Sequence, residues 1–258
     1  SVHFSNHTGY ASVSGTELPD NELVKIVNSL RANNLFSYSW ILTGYMRSAC
    51  FISKVASIIY DQKKQDPSML YLCDPVMGDD GQMYVHSDAR DVYRDVIVKL
   101  ADVITPNYFE FQLLSNTANN ESMEIDEILA HIKAIHTRGP KYIVITSIDN
   151  LEVGNLVLLG STYCSDTKSV DWFKIQIPKL DIKFTGTGDV FSALLLHYMK
   201  KSMCLHEACK RVVITIRKII LATIVGHEDQ LYIRELNLIE NRDAVASIQD
   251  DDFYDYGL

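Results

Sequence analysis

Residues able to handle phosphate and a hard cation recur in this sequence directly after short apolar runs. Asp74-Pro75-Val76-Met77-Gly78-Asp79 follows Met69 to Cys73, and Thr105-Pro106-Asn107-Tyr108-Phe109-Glu110 follows Val103-Ile104. Ser147 follows Tyr142 to Thr146, and Gly44-Tyr45 follows Tyr38 to Thr43. In an open α/β sheet, ligands sit outside the carboxyl ends of the strands. Asp74, Asp79, Asn107, Glu110, Thr146 and Ser147 would then share one edge, an oxygen-rich set suited to Mg²⁺ and a nucleotide phosphate. Taken singly, each has an equal claim as a turn or helix-cap residue, Asn107 above all.

The strongest local pattern is Phe184-Thr185-Gly186-Thr187-Gly188-Asp189, followed at once by an apolar helical stretch, Val190 to Tyr198. Glycines ahead of a helix let backbone N–H groups point at an anion, and the helix terminus adds positive partial charge. Such a loop can cradle a transferring phosphoryl group. Asp189 also suits the N-terminal cap of that helix, but capping alone does not call for two glycines around a threonine. The sequence has neither a G-x-x-x-x-G-K-[ST] loop nor an early G-x-G-x-x-G, which argues against a P-loop enzyme or a nicotinamide dehydrogenase.

The elements that must position these residues alternate. Helix-like stretches at Asn21 to Asn33, Ser48 to Gln62, Asp88 to Lys99 and Ile125 to His136 separate the apolar runs named above. Leu156 to Leu159 and Trp172 to Ile177 follow without a helix between them. The rhythm predicts a parallel sheet covered on both faces, with an antiparallel edge or flap late in the chain. The last third is helical by pattern, at Val190 to Tyr198 and Leu205 to Ile224. There Leu205, Ala208, Val212, Ile216, Ile219, Ile220 and Thr223 recur at core-facing spacing. A final segment, Leu231 to Ile248, precedes an acidic tail, Asp250-Asp251-Asp252, that reads as solvated. With no repeat, linker or composition break, residues 1–258 read as one domain.

Composition narrows the function classes. At 47% hydrophobic and 22% charged residues over 258 positions, the chain can bury a sizeable core. A formal net charge of -9 disfavours nucleic acid and anionic membrane surfaces as partners. There is no run of about 18 apolar residues and no basic or apolar leader at the start, so the chain reads as soluble and cytoplasmic. Cys50, Cys73, Cys164, Cys204 and Cys209 are scattered, without a C-x-x-C pair, and read as reduced core residues. His3 and His7 are four apart in a β-like and turn-like stretch, where that spacing is too wide for one metal ion. His131 and His136 read as surface or core fillers. The sequons at Asn6 and Asn120 read as chance matches.

Several of these segments resemble one family. Phe4-Ser5-Asn6-His7-Thr8-Gly9-Tyr10, Leu42-Thr43-Gly44-Tyr45, Asp74 to Asp79, Thr105 to Glu110, Val144-Ile145-Thr146-Ser147 and Gly186-Thr187-Gly188-Asp189 run in the order found in the pyridoxal kinases of the ribokinase superfamily. The glycine loop and the N-x-x-E element are shared across that superfamily, whereas the F-S-N-H-T-G-Y opening is far more specific. The resemblance implies a ribokinase-like three-layer α/β/α fold with a mostly parallel central sheet. It also implies a homodimer that uses ATP to phosphorylate the 5′-hydroxymethyl group of pyridoxal, pyridoxine or pyridoxamine in vitamin B6 salvage. By the same resemblance, Asp189 is the base and Gly186, Thr187 and Gly188 form the anion hole. Phe4, Thr8 and Tyr45 line the pyridine pocket, and Asp79 and Glu110 serve Mg²⁺. Asp74, Thr105 and Thr146 hold a monovalent cation, K⁺ or Na⁺. Asn107, Ser147 and the stretch Leu180, Asp181 and Ile182 contact ATP, alongside Asp74, Glu110, Thr146, Thr187 and Gly188.

Two departures from the family pattern accompany the likeness. Family members carry a further β-strand and helix ahead of the opening motif, which implies a narrower sheet and a partly open pocket here. The loop after Asp79, Asp80 to Val85, is compact. Two rivals stand beside the main reading. One is a hydroxymethylpyrimidine kinase, which shares the anion hole and the D-P-V-M element. The other is a weakly active ligand-binding or regulatory dimer.

Overall fold

The computed structural model describes residues 2–5, 11–117, 122–180, 184–201, 203–225 and 234–235. The chain divides into two compact units, Ser1–Ile143 and Val144–Leu258.

The first unit opens with β1 (Val2–Phe4) paired antiparallel with β2 (Gly15–Glu17). Helix α1 (Asp20–Ala32) starts after Pro19, with Asp20 and Glu22 in its first turn and Arg31 in its last, charges that oppose the helix dipole. Strand β3 (Trp40–Thr43) leads to α2 (Ala49–Gln65), whose N-cap Ser48 accepts from the Phe51 N–H at 3.2 Å. Phe51, Ile52, Val55, Ala56 and Ile59 bury one stripe of α2. Strand β4 (Leu70–Cys73) is followed by a small hairpin, β5 (Gly78–Asp79) and β6 (Gln82–Met83). Asp80 and Gly81 turn that hairpin with φ of 47° and 76°, the doubly positive geometry a two-residue hairpin loop favours.

Then come α3 (Ser87–Val92), a π-helical turn (Tyr93–Ile97), α4 (Val98–Leu100) and β7 (Val103–Ile104). The single helix expected over Asp88 to Lys99 is thus interrupted by a wider turn, a local geometry that periodicity does not reveal. Helices α5 (Tyr108–Ser115) and α6 (Ile125–His136) precede β8 (Tyr142–Ile148). Strands β3 and β4, β4 and β7, and β7 and β8 pair in parallel, the last through Val103↔Tyr142 and Ile104↔Ile143. Parallel pairing needs a crossover between strands, and the intervening helices supply it.

The second unit holds the rest of β8, then β9 (Asn155–Cys164) and β10 (Ser169–Pro178), antiparallel from Ser169↔Cys164 to Pro178↔Asn155. This is the late antiparallel pair that the sequence predicts. Phe173 lies opposite Gly160, where any Cβ would collide with the Phe173 ring. Next are β11 (Phe184–Thr185), α7 (Thr187–Lys200), α8 (Leu205–Val225) and β12 (Arg234–Glu235), with β11 and β12 parallel. Leu205, Ala208, Val212, Ile219 and Thr223 of α8 are buried as the spacing predicts, whereas Ile216 and Ile220 are only half-buried.

Within the first unit the strands run in the order β8-β7-β4-β3, all parallel, and within the second the order is β10-β9-β8. No helix among the described residues is long and apolar enough to cross a membrane. The cysteine expectation needs correcting. Cys73 and Cys209 are buried, but Cys164 is half-buried and Cys50 and Cys204 are exposed. Cys50 sits in the first turn of α2, where its thiol reaches Asp20 at 3.1 Å on the solvent side. His3 lies in β1, as its β-like setting suggested, and the buried His136 is a core residue. The sequons at Asn6 and Asn120, most of Leu231 to Ile248 and the acidic tail lie outside the described residues.

Candidate active site

In the first unit, the polar residues after β4 and β7 are joined around Glu110. Asp74 follows β4 directly; its N–H donates to the Thr43 carbonyl at 2.9 Å and its residue is buried. Asn107 caps α5: its Oδ1 accepts from the Glu110 N–H at 2.8 Å, and its own N–H donates to Glu110 Oε2 at 2.9 Å. This reciprocal capping box is the bland role that the sequence allowed for Asn107. The other Glu110 oxygen, Oε1, accepts from the Met77 N–H at 2.9 Å, so the α5 carboxylate also fixes the segment after Asp74. Asn107 Nδ2 donates to the Gly78 carbonyl at 2.8 Å and reaches Asp79 Oδ1 at 3.5 Å. One side chain therefore ties the β5–β6 hairpin to the start of α5. The approach is close: a Cβ on Gly78 would run into the Gln82 carbonyl oxygen and the Phe109 ring.

Burial pushes the Glu110 carboxyl up to about 8, and the neighbouring Asp74 charge adds to the effect; the N–H groups of Asn107, Met77 and Gly78 pull the other way. Two buried carboxylates whose charges oppose each other form a setting that a cation relieves. No group of three or more His, Cys, Asp or Glu side chains poised for a metal occurs among the described residues. A hard cation here would complete its shell with water and ligand oxygens, the usual habit of Mg²⁺. Asp79 is exposed on its hairpin, and Thr105 is buried beside β4, its N–H on the Cys73 carbonyl at 3.1 Å. Behind this layer, Tyr71 shares a 2.8 Å hydrogen bond with Thr43, and burial pushes the Cys73 thiol up to about 12. Tyr45 is half-buried; burial raises its phenol pKa, Arg47 opposes that and Glu17 adds to it, those two forming an ion pair.

In the second unit, Thr146 and Ser147 are half-buried within β8, which runs to Ile148, so Ser147 is a strand residue rather than the first residue after the strand. Gly186 takes the N-cap of α7 with φ 82°, a left-handed conformation suited to glycine. Thr187, Gly188 and Asp189 form the first helical turn, whose N–H groups have no partners within the helix. Asp189 is exposed in the first turn of α7, whose N-cap is Gly186, so Asp189 is not the N-cap residue, although its charge suits that end of the helix. The backbone turns at Gly186, three residues before Asp189. Leu180 is exposed, and Asp181, Ile182 and Thr8 lie outside the described residues. Phe4 is in β1. The link from Glu110 to Met77 was missed in the sequence, because a glutamate three residues after an Asn cap already has a sufficient local explanation.

Comparison with known proteins bears on this chemistry. A family model described as phosphomethylpyrimidine kinase matches residues 7–230. The pyridoxal kinase of Homo sapiens is 39% identical over 235 residues, covering 87% of this chain and 74% of that protein. The pyridoxal kinase of Arabidopsis thaliana is 36% identical over 253 residues, covering 96% and 80%. Among solved structures, pyridoxal kinase from Leishmania donovani in complex with ADP and pyridoxamine superposes with a TM-score of 0.84 at 31% identity, over 95% of this chain and 84% of that one. The Plasmodium falciparum PdxK with AMP-PNP and PL gives 0.78 at 28% identity, over 91% and 80%. These likenesses carry the three-layer α/β fold with a mostly parallel sheet.

Proposed function

The chain belongs to the pyridoxal kinase family of the ribokinase superfamily, and from that premise we propose that it transfers the γ-phosphoryl group of ATP to the 5′-hydroxymethyl oxygen of pyridoxal. The products are pyridoxal 5′-phosphate and ADP, in vitamin B6 salvage, with pyridoxine and pyridoxamine as further acceptors. The observation that carries this reading is identity of 36–39% to pyridoxal kinases of an animal and a plant across 87–96% of the chain. The solved relatives hold ADP with pyridoxamine or pyridoxine, which fits a nucleotide and a pyridine alcohol bound together.

Asp189 takes the proton from the 5′-hydroxyl while that oxygen attacks the γ-phosphorus and the bond to the ADP oxygen breaks. Its exposed carboxylate in the first turn of α7, directly after the left-handed Gly186, supports the role. Gly186, Thr187 and Gly188 supply N–H groups and the helix terminus to the phosphoryl oxygens, where charge builds in the transition state. Asp79 and Glu110 hold Mg²⁺ directly or through water, and Asp74, Thr105 and Thr146 hold K⁺ or Na⁺. Bound Mg²⁺ would neutralise the nucleotide phosphates. The buried Asp74 and Glu110 carboxylates favour that assignment. Asn107 keeps Asp79 and Glu110 in place while contacting ATP with Ser147 and Leu180 to Ile182. Phe4, Thr8 and Tyr45 line the pyridine pocket. The protein works in the cytoplasm as a homodimer.

The family model's description names a pyrimidine substrate, phosphomethylpyrimidine, which supports keeping a second reading, phosphorylation of a hydroxymethylpyrimidine. Incubating the purified protein with ATP, Mg²⁺ and either alcohol separates the two. Formation of pyridoxal 5′-phosphate and ADP is expected, at a higher kcat/KM than for the pyrimidine. A preference for the pyrimidine would replace the first reading, and no ADP from either alcohol would leave only a ligand-binding protein.

A further inference from the structure

We propose that Tyr93 is a positioning residue for the Asp74 and Glu110 carboxylates, its hydroxyl joining the oxygen and water shell around them when a divalent cation and a nucleotide are bound, an inference that rests on the cation reading above. Tyr93 is fully buried, and its hydroxyl makes no hydrogen bond. The Met46 main chain approaches the phenol without reaching hydrogen-bond geometry. A buried donor is normally satisfied, because leaving one unmade forfeits the water it gave up on folding. Tyr71, equally buried, obeys the rule by bonding Thr43 at 2.8 Å. Tyr93 does not, and its place in the fold suggests what it waits for.

The residue opens the π-helical turn Tyr93–Ile97, and π turns inserted into helices are frequent at functional sites. That turn packs against α5, which carries Glu110 in its first turn, and against α2. Burial above all, with the neighbouring Cys73, Asp74 and Glu110 groups adding to it, holds the phenol firmly protonated. A protonated phenol is a donor, the correct partner for anionic oxygens or for water bound to them. Hydrogen bonds to ionised oxygens, or to water bound to them, are the stronger kind, so such a shell is where the unused hydroxyl gains most. A core-filling role accounts for the ring, but not for an unbonded hydroxyl beside two buried acids.

Calorimetric titration with ADP, with and without Mg²⁺, tests this on the intact protein. The wild type should bind ADP more tightly with Mg²⁺, and that gain measures the cation site. In Tyr93→Phe, the unliganded Tm should equal or exceed the wild-type value, since no bond is lost. ADP affinity without Mg²⁺ should be unchanged, the gain conferred by Mg²⁺ should shrink about tenfold, and the Mg²⁺ concentration for half-maximal rate should rise by a similar factor. Tyr71→Phe, which loses a made hydrogen bond, should lower Tm and keep the full Mg²⁺ gain. A full Mg²⁺ gain in Tyr93→Phe would reduce Tyr93 to core filling and overturn the proposal. Equal weakening of ADP binding with and without Mg²⁺ would overturn it too. A wild type that shows no Mg²⁺ gain would sink the cation reading itself, a failure visible before any variant is made.

Discussion

Asp189 and His136 show how differently two ionisable residues can enter the behaviour of one chain. Asp189 is exposed at the start of α7, and the role proposed for it is to accept a proton during phosphoryl transfer. General-base assistance is worth about 10² to 10⁴-fold. Asp189→Asn should lower kcat by that order while leaving the Kd for Mg²⁺ and ADP nearly unchanged; near-normal turnover would remove Asp189 from the chemistry. His136 is buried at the end of α6, with Nδ1 at 2.7 Å from the Pro140 carbonyl oxygen, so that nitrogen carries the proton. Burial depresses the imidazole below its ordinary 6.5, and the Pro140 hydrogen bond opposes the shift only partly. As pH falls through 6.5, the unfolded chain takes up a proton that the folded one refuses, so stability contributed by this group is complete above that pH and drains away below it. His136→Gln can still donate to Pro140 but cannot titrate. Between pH 7 and pH 5.5, its Tm should therefore fall less steeply than the wild-type Tm, and parallel curves would show that acid sensitivity lies elsewhere.

The β5–β6 hairpin and α5 meet through a single side chain, which makes their coupling separable by substitution. Asn107→Ala removes the α5 cap, worth about 0.5–2 kcal/mol, and Tm should drop by about 1–8 °C for a chain of this size. Asn107→Asp keeps an oxygen for the Glu110 N–H but loses the donor to the Gly78 carbonyl. It should regain most of the Tm yet need more Mg²⁺ for half-maximal rate, because the hairpin bearing Asp79 is released. A normal Mg²⁺ requirement in Asn107→Asp would detach the hairpin from cation binding. The capping half of this arrangement was legible in the sequence, since Asn followed three residues later by Glu is a local signal. Its long-range half was not: the bonds from Glu110 to Met77 and from Asn107 to Gly78 depend on which loop the fold lays beside α5. The same contrast holds elsewhere. Ile125 to His136 was readable to the residue from spacing alone. The π turn at Tyr93 was invisible, because packing against α2 and α5, not composition, decides it. The burial of Cys50 was misjudged because average cysteine behaviour says nothing about which face of α2 a given position occupies.

At the scale of the whole molecule, a ligand that binds only the folded state must raise its melting temperature. ADP with Mg²⁺ at about 100 times its Kd adds about 2.7 kcal/mol, and Tm should climb by about 5–10 °C, with a smaller rise when Mg²⁺ is withheld. No shift at such a ratio would contradict nucleotide binding. Light scattering should give twice the 29.2 kDa chain mass, and a single-chain mass at micromolar concentration would rule out the homodimer. The β9–β10 hairpin bears on how the molecule reaches its folded state. Its ten paired positions could slide by two residues and still keep every side chain on the same face. A slide of that size would set the Phe173 ring over Leu158 or Thr162 instead of Gly160, and only a residue without a β-carbon leaves space for the ring. Gly160 therefore acts as a proofreading mark, rejecting out-of-step ladders while the chain is still searching. Loss of that mark would make the native ladder cost as much as its out-of-step rivals, because the ring would then meet a β-carbon in every register.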